Sequence, residues 1–192
     1  MKKHLSDYVK HYKSFIKEDV CDKTIIELNK LNKNLWHQHE FYNVKKNISV
    51  KISGDQELSI LYSKEISTKE IIMKCVWEAI YKYLNDFKFS WFDGWQAYSE
   101  IRFNKYSENT KMAEHCDHIH SLFDGEKKGI PILSILGVLN DDYEGGEFIM
   151  FEDEEIKLKK GDLLIFPSIF LYPHKVEPVK KGFRYSFISW AW

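Results

Sequence analysis

The pattern of apolar and polar positions divides the chain near residue 90. Up to about residue 88 the apolar positions recur at helical spacing, Val20, Ile25, Leu28 and Leu31 in one stripe and Ile72, Val76, Ile80 and Leu84 in another. Ser67-Thr68-Lys69-Glu70 stands ahead of the second stripe with the form of a capping box, in which a hydroxyl and a glutamate satisfy each other's backbone N–H groups at a helix start. Two amphipathic helices are expected, each burying one face.

From about residue 96 the period shortens. Runs rich in β-branched and aromatic residues predict strands near 98–104, 132–139, 146–151, 155–158, 162–166, 172–177 and 183–190. Asp141-Asp142-Tyr143-Glu144-Gly145-Gly146 and Lys159-Lys160-Gly161-Asp162 read as hairpin connections. Seven or eight strands at this spacing suit a closed sandwich or barrel, with the helices against one outer face. The class is α+β, mainly β. A chain of 192 residues with 44% hydrophobic residues can build one core, so a single domain over 1–192 is expected, with 1–95 as helical support and 96–192 as the β core.

Charge narrows the partners. With 28 basic against 29 acidic residues, the chain has no electrostatic footprint for nucleic acid or an anionic membrane. No run approaches the roughly 20 apolar residues that span a bilayer, and MKKHLSDYVK lacks the apolar segment of a secretory signal. Cys21, Cys75 and Cys116 are odd in number and far apart, which points to a reducing compartment. A soluble, cytoplasmic protein is expected. Only Arg102 and Arg184 among the 28 basic residues are arginines, so each raises the question of what a planar fork does that lysine cannot.

The densest chemistry is Glu114-His115-Cys116-Asp117-His118-Ile119-His120. On a strand, residues two apart share a face, so His115 and Asp117 can meet one ion while Cys116 points away. The only histidine downstream of this segment is His174, on a predicted strand. Two histidines and a carboxylate on one side of a metal leave three positions open, the arrangement of non-haem Fe(II) oxygenases. His118 and His120 continue the alternation as surface residues, core histidines or competing ligands. Arg184 shares a face with Ser186 and Ile188, opposite Phe183, Tyr185 and Phe187. An arginine projecting into a barrel is costly without an anion, and its fork fits a carboxylate with two parallel bonds.

These segments together resemble the Fe(II)- and 2-oxoglutarate-dependent oxygenase superfamily, in its prolyl 4-hydroxylase-like branch. The resemblance rests on His115-Cys116-Asp117, Tyr143-Glu144-Gly145-Gly146-Glu147-Phe148, Lys160-Gly161-Asp162-Leu163-Leu164-Ile165-Phe166, and His174-Lys175-Val176-Glu177-Pro178-Val179 followed by Arg184-Tyr185-Ser186. It covers residues 96–192. It implies a double-stranded β-helix of two four-stranded sheets, Fe(II) held by His115, Asp117 and His174, and the C5 carboxylate of 2-oxoglutarate received by Arg184. It also implies a hydroxyl from Ser186 on that carboxylate, a supporting Tyr106, O2 as co-reactant and ascorbate to restore the iron. The implied reaction is hydroxylation of an aliphatic C–H with release of succinate and CO2. The implied substrate is a peptidyl proline or other protein side chain, with a free amino acid or small metabolite open. Val138 departs from the pattern, offering nothing polar where some relatives carry a second tyrosine.

Two other functions are compatible with parts of this pattern. One is a β-helix binding module without turnover. The other is a zinc site built from His115, His118, His120 and Cys116, which leaves His174 and Arg184 without a role. The charged segment 121–129 reads as a loop beside the metal, either a substrate lid or a solvated run.

Overall fold

The computed structural model describes residues 3–43, 45–90, 94, 97–117 and 131–192. Before the long second helix the elements are β1 (Lys10–Tyr12), α1 (Glu18–Lys30), β2 (His37–Gln38), β3 (Phe41–Asn43), β4 (Ile48–Val50), β5 (Ser59–Leu61) and then α2 itself (Lys69–Phe87). After it come β6 (Arg102–Tyr106), β7 (Met112–His115), β8 (Leu133–Val138), β9 (Glu144–Gly145), β10 (Phe148–Met150), β11 (Glu154–Ile156), β12 (Leu163–Pro167), β13 (His174–Val176), β14 (Val179–Lys181) and β15 (Arg184–Ala191). No described helix is long and apolar enough to cross a membrane.

Both helices form where their apolar stripes fall. Glu18 and Asp19 open α1 and Lys30 closes it, signs that suit the helix dipole. The capping box ahead of α2 does not form. Thr68 is the N-cap with helical backbone angles and no side-chain cap bond. Ser67 instead donates its amide (2.7 Å) and hydroxyl (2.5 Å) to the Glu27 carboxylate on α1, and Thr68 shares a 2.5 Å hydroxyl contact with Thr24. The polar groups that a local cap would satisfy are spent joining the two helices.

A seven-stranded sheet has the order β1-β12-β8-β15-β6-β5-β2, and a four-stranded sheet the order β11-β10-β13-β7. The N-terminal region is therefore not only helical, because β1, β2 and β5 widen one sheet of the expected pair. These strands have two or three residues each, too few for an alternation to be read from sequence. The two glycine-bearing turns are not hairpins. Residues 139–147 carry the chain from β8 in the large sheet to β10 in the small one, and 157–162 return it from β11 to β12. The tight hairpin is at 151–153, between β10 and β11, where Phe151 and Glu152 take positive φ.

Strand alternation sorts the core in two. Phe103, Ile135, Leu163, Ile165, Tyr185 and Phe187 face the helices and pack with Cys21, Leu28, Ile72, Val76, Ala79, Ile80 and Tyr83. Tyr106, Leu136, Leu164, Phe166, Ile188 and Trp190 face the other way, against Met112, Phe148, Met150 and Val176 of the small sheet. The helices thus cover one outer face of a double-stranded β-helix, and the even-numbered positions of β6 and β15 point into it.

Candidate active site

Two strands of the small sheet bring the histidines together. β7 and β13 run antiparallel with His115 opposite His174, and a bulge interrupts the register between His174 and Val176. Asp117 lies two residues beyond the end of β7, so its meeting with His115 is made by the chain leaving the strand rather than by strand alternation. One donor atom from each of His115, Asp117 and His174 lies within 4.8 Å of the others, and this is the one such group of three among the described residues. Cys116 is not part of it. His118, His120 and segment 121–129 lie outside the described residues.

The imidazoles are held in one tautomer. His115 Nδ1 sits 2.8 Å from the Ala113 carbonyl and His174 Nδ1 3.1 Å from the Tyr172 carbonyl. A carbonyl only accepts, so each Nδ1 carries the hydrogen and each Nε2 presents a lone pair. Those Nε2 atoms stand 3.3 and 3.6 Å from Asp117 Oδ1. Burial and the neighbouring His174 push His115 toward its neutral form, against the pull of Asp117. Burial opposes charge on Asp117 too, but the imidazoles of His174 and His115 outweigh it and hold the carboxyl well below the usual carboxylate range. Both directions leave the deprotonated donors that a divalent ion requires. Asp117 Oδ2 is buried with no hydrogen-bond partner among the described residues.

Arg184 begins β15 and is 1% exposed. Its guanidinium lies 5.0 Å from the centroid of the Tyr106 ring, its cross-strand partner, and its Nη1 donates to Ser186 Oγ at 3.0 Å. Nε is buried without a partner, and Arg184 makes no ion pair with any described carboxylate. Burial pushes the Tyr106 hydroxyl up, with Arg184 opposing, so the phenol remains a neutral donor. Gly146 explains part of the double-glycine motif: at φ +66° it passes so close that a Cβ would stand 3.1 Å from Arg184 Cδ.

A cavity lined by His115, Asp117 and His174 is also lined by Arg102, Asn104, Tyr106, Phe148 and Phe166. A separate cavity of about 610 Å³ beside α1, with Asp22, Asn29 and Lys160 on its wall, contains none of these residues. In the sequence Arg102 stands apart by its rarity alone, which gives it no place, and Asn104 does not stand out. Alternation back from Tyr106 along β6 was the signal available for both.

Residues 101–192 match the sequence profile of the 2OG-Fe(II) oxygenase superfamily. That stretch belongs to this superfamily. Over 97 residues the chain is 39% identical to a PKHD-type hydroxylase of Aliarcobacter butzleri, a match covering 47% of this chain and 41% of that protein. The chain thus spans about two-fifths of the length of that relative. The fold is that of prolyl hydroxylases. A prolyl hydroxylase of Trichoplax adhaerens, solved with a hypoxia-inducible-factor degradation-domain peptide, aligns with TM-score 0.73 at 15% identity over 97% of this chain and 84% of that one. A Pseudomonas putida prolyl-4-hydroxylase aligns with TM-score 0.67 at 16% identity over 96% and 91%.

The residues present fit the groups that a 2OG-Fe(II) oxygenase takes. Two imidazole lone pairs and an ionised carboxylate with an orphaned oxygen suit a divalent metal, and a buried arginine with an orphaned N–H suits a carboxylate.

Proposed function

We propose that this chain is an Fe(II)- and 2-oxoglutarate-dependent hydroxylase of an aliphatic C–H, acting on a peptidyl proline or other protein side chain with release of succinate and CO2. The observation that carries this reading is the gathering of His115, Asp117 and His174 in the same barrel interior as a buried Arg184 that has no ion pair among the described residues. Residues 1–192 act as one domain, and 96–192 carry the chemistry.

Fe(II) and 2-oxoglutarate supply, when bound, the oxidative decarboxylation that drives hydroxylation, and ascorbate keeps the metal reduced. The chain's own residues do the rest. His115 and His174 offer Nε2 because Ala113 and Tyr172 hold their Nδ1 hydrogens, so no rotation is needed to receive the ion. Asp117 contributes the single anionic donor. Arg184 receives the distal carboxylate through its fork. Ser186 already accepts from Arg184 and can turn its own hydrogen toward the same carboxylate. Phe148 and Phe166, ring to ring with His174, keep water from the metal side. A protein substrate is supported by the rim loop before His174, where Ile169, Phe170 and Leu171 are exposed in succession, Phe170 at 72%.

The test is succinate formation by the iron-loaded protein against proline-containing peptides and free amino acids, with Asp117→Gly as the inactive control. Folded, iron-loaded parent protein that makes no succinate and takes up no O2 with any of them would sink the hydroxylase reading.

A further inference from the structure

Arg102 is built like Arg184. Each guanidinium lies 5.0 Å from an aromatic centroid, Trp190 for Arg102 and Tyr106 for Arg184. Each donates to one neutral acceptor two residues away on its own strand, Arg102 Nε to Asn104 Oδ1 at 3.2 Å and Arg184 Nη1 to Ser186 Oγ. Both are buried, at 9% and 1% exposure, and neither makes an ion pair with a described carboxylate. The two are the chain's only arginines.

Their positions differ in a way that assigns them different anions. On the β6–β15 ladder Tyr106 lies opposite Arg184 and Arg102 lies opposite Ile188. The two arginines are therefore four rungs apart, about 13 Å along the strand direction. Arg184 occupies the start of β15. Arg102 opens β6, level with Ile188 of β15, Leu136 of β8 and Leu164 of β12. Arg102 lines the cavity with His115, Asp117 and His174.

The neighbouring groups also lack an acceptor. Apart from the Nε bond to Asn104, the guanidinium N–H groups of Arg102 bond to no described residue. Trp190 Nε1, on the indole beneath it, is buried without a partner among the described residues. The other buried carboxylate on this side, Glu57, accepts from the Ser53 amide and faces His39 rather than Arg102. A buried indole N–H and a guanidinium at 9% exposure with donors still open carry a desolvation cost that an incoming anion removes.

We propose that Arg102, with Trp190 Nε1 and Asn104 beside it, is a second anion anchor that binds a carboxylate carried by the substrate next to the reacting C–H. This rests on the oxygenase reading of the same site, and it narrows the substrate to one presenting a carboxylate. That carboxylate is either the free α-carboxylate of an amino acid or peptide terminus, or an acidic side chain adjoining the target residue. Lysine would supply the charge, but not a flat surface for Trp190 together with a fork for the carboxylate.

The experiment measures binding without turnover, on Mn(II)-loaded protein with 2-oxoglutarate under argon. One arm compares L-proline with L-prolinamide. The other compares a capped peptide holding Pro-Glu with the same peptide holding Pro-Gln. The carboxylate member of at least one pair should bind roughly 10 to 100 times more tightly, the span of a charge-assisted hydrogen bond, and the arm that responds names the source. Arg102→Met should erase that preference and Arg102→Lys should retain part of it, while 2-oxoglutarate affinity stays within a factor of two as proof of folding. Equal binding of carboxylate and amide in both arms, or a preference that survives in Arg102→Met, overturns the proposal. Succinate production by the parent protein reports separately on the oxygenase reading, so failure of one is distinguishable from failure of the other.

Discussion

His115 and His174 face each other on one rung of the β7–β13 ladder, with ring centroids 4.4 Å apart and each Nδ1 tied to the carbonyl two residues upstream. Two adjacent strands thus fix two donors before any ion arrives, and Asp117 needs only the short exit from β7 to complete the set.

The first prediction follows from that pre-arrangement. His115→Ala, Asp117→Ala and His174→Ala should each lose stoichiometric Mn(II) or Fe(II) binding, measured by calorimetry on metal-free protein. Each loss should exceed the roughly 10- to 100-fold that outer-sphere changes cost. Undiminished binding in any one of them would remove that residue from the triad.

Arg184 gives the second. Arg184→Ala leaves a desolvated carboxylate without its partner, a loss of roughly 1.5 to 3 kcal/mol, so 2-oxoglutarate affinity should fall on the order of 10- to 100-fold. Arg184→Lys should lose less. Gly146→Ala should weaken the same ligand without touching a charge, because the new methyl meets the Arg184 stem at 3.1 Å and the backbone is held at φ +66°. Titration of each variant with 2-oxoglutarate in the presence of Mn(II) decides the order.

Acid stability gives the third. Burial, followed by the Arg102 charge and the neighbouring His115 and opposed by Asp117, pushes His39 down to about 3 from its ordinary 6.5. Glu57 Oε2, at 4.0 Å from His39 Nδ1, is too far to accept a hydrogen bond from a protonated His39. Above pH 6.5 neither folded nor unfolded His39 is protonated, so it contributes no pH dependence. Between 6.5 and about 3 only the unfolded chain takes up the proton, and stability falls as pH falls, by up to about 1.4 kcal/mol per pH unit. Urea unfolding at pH 7.5 and 5 should show this slope in the parent and a shallower one in His39→Gln.

The fourth concerns the helix-facing side of the sheet. Gly137 lies opposite Phe187, whose ring covers it so closely that a Cβ would come within 2.1 Å of Cζ. Gly137→Ala should destabilise by roughly 1 to 3 kcal/mol, the usual cost of overpacking. Adding Phe187→Leu should recover part of that loss if the clash is the cause. Denaturant midpoints for the parent, both single variants and the double variant measure this coupling.

The sequence by itself determined what local period and residue rarity can carry. Alternation over 183–190 put Arg184 and Ser186 on the interior face and Tyr185 and Phe187 on the other, as the two core clusters have them. The stripes of α1 and α2, the strands β8, β10, β11, β12, β13 and β15 and the choice of His174 as distant partner were legible for the same reason, whereas the short β9 and β14 were not. Tertiary structure decided the rest. It directed Ser67 to Glu27 instead of to its own helix, and it turned two glycine-bearing segments into crossings between sheets. It also recruited β1, β2 and β5 into the larger sheet, and it put Arg102 in one cavity with His115, Asp117 and His174. A turn signal fixes where the backbone bends and a period fixes which way a side chain points. Which strands then pair, and which buried donors share a cavity, depends on burial between residues far apart in the chain, and no short window of sequence contains that information.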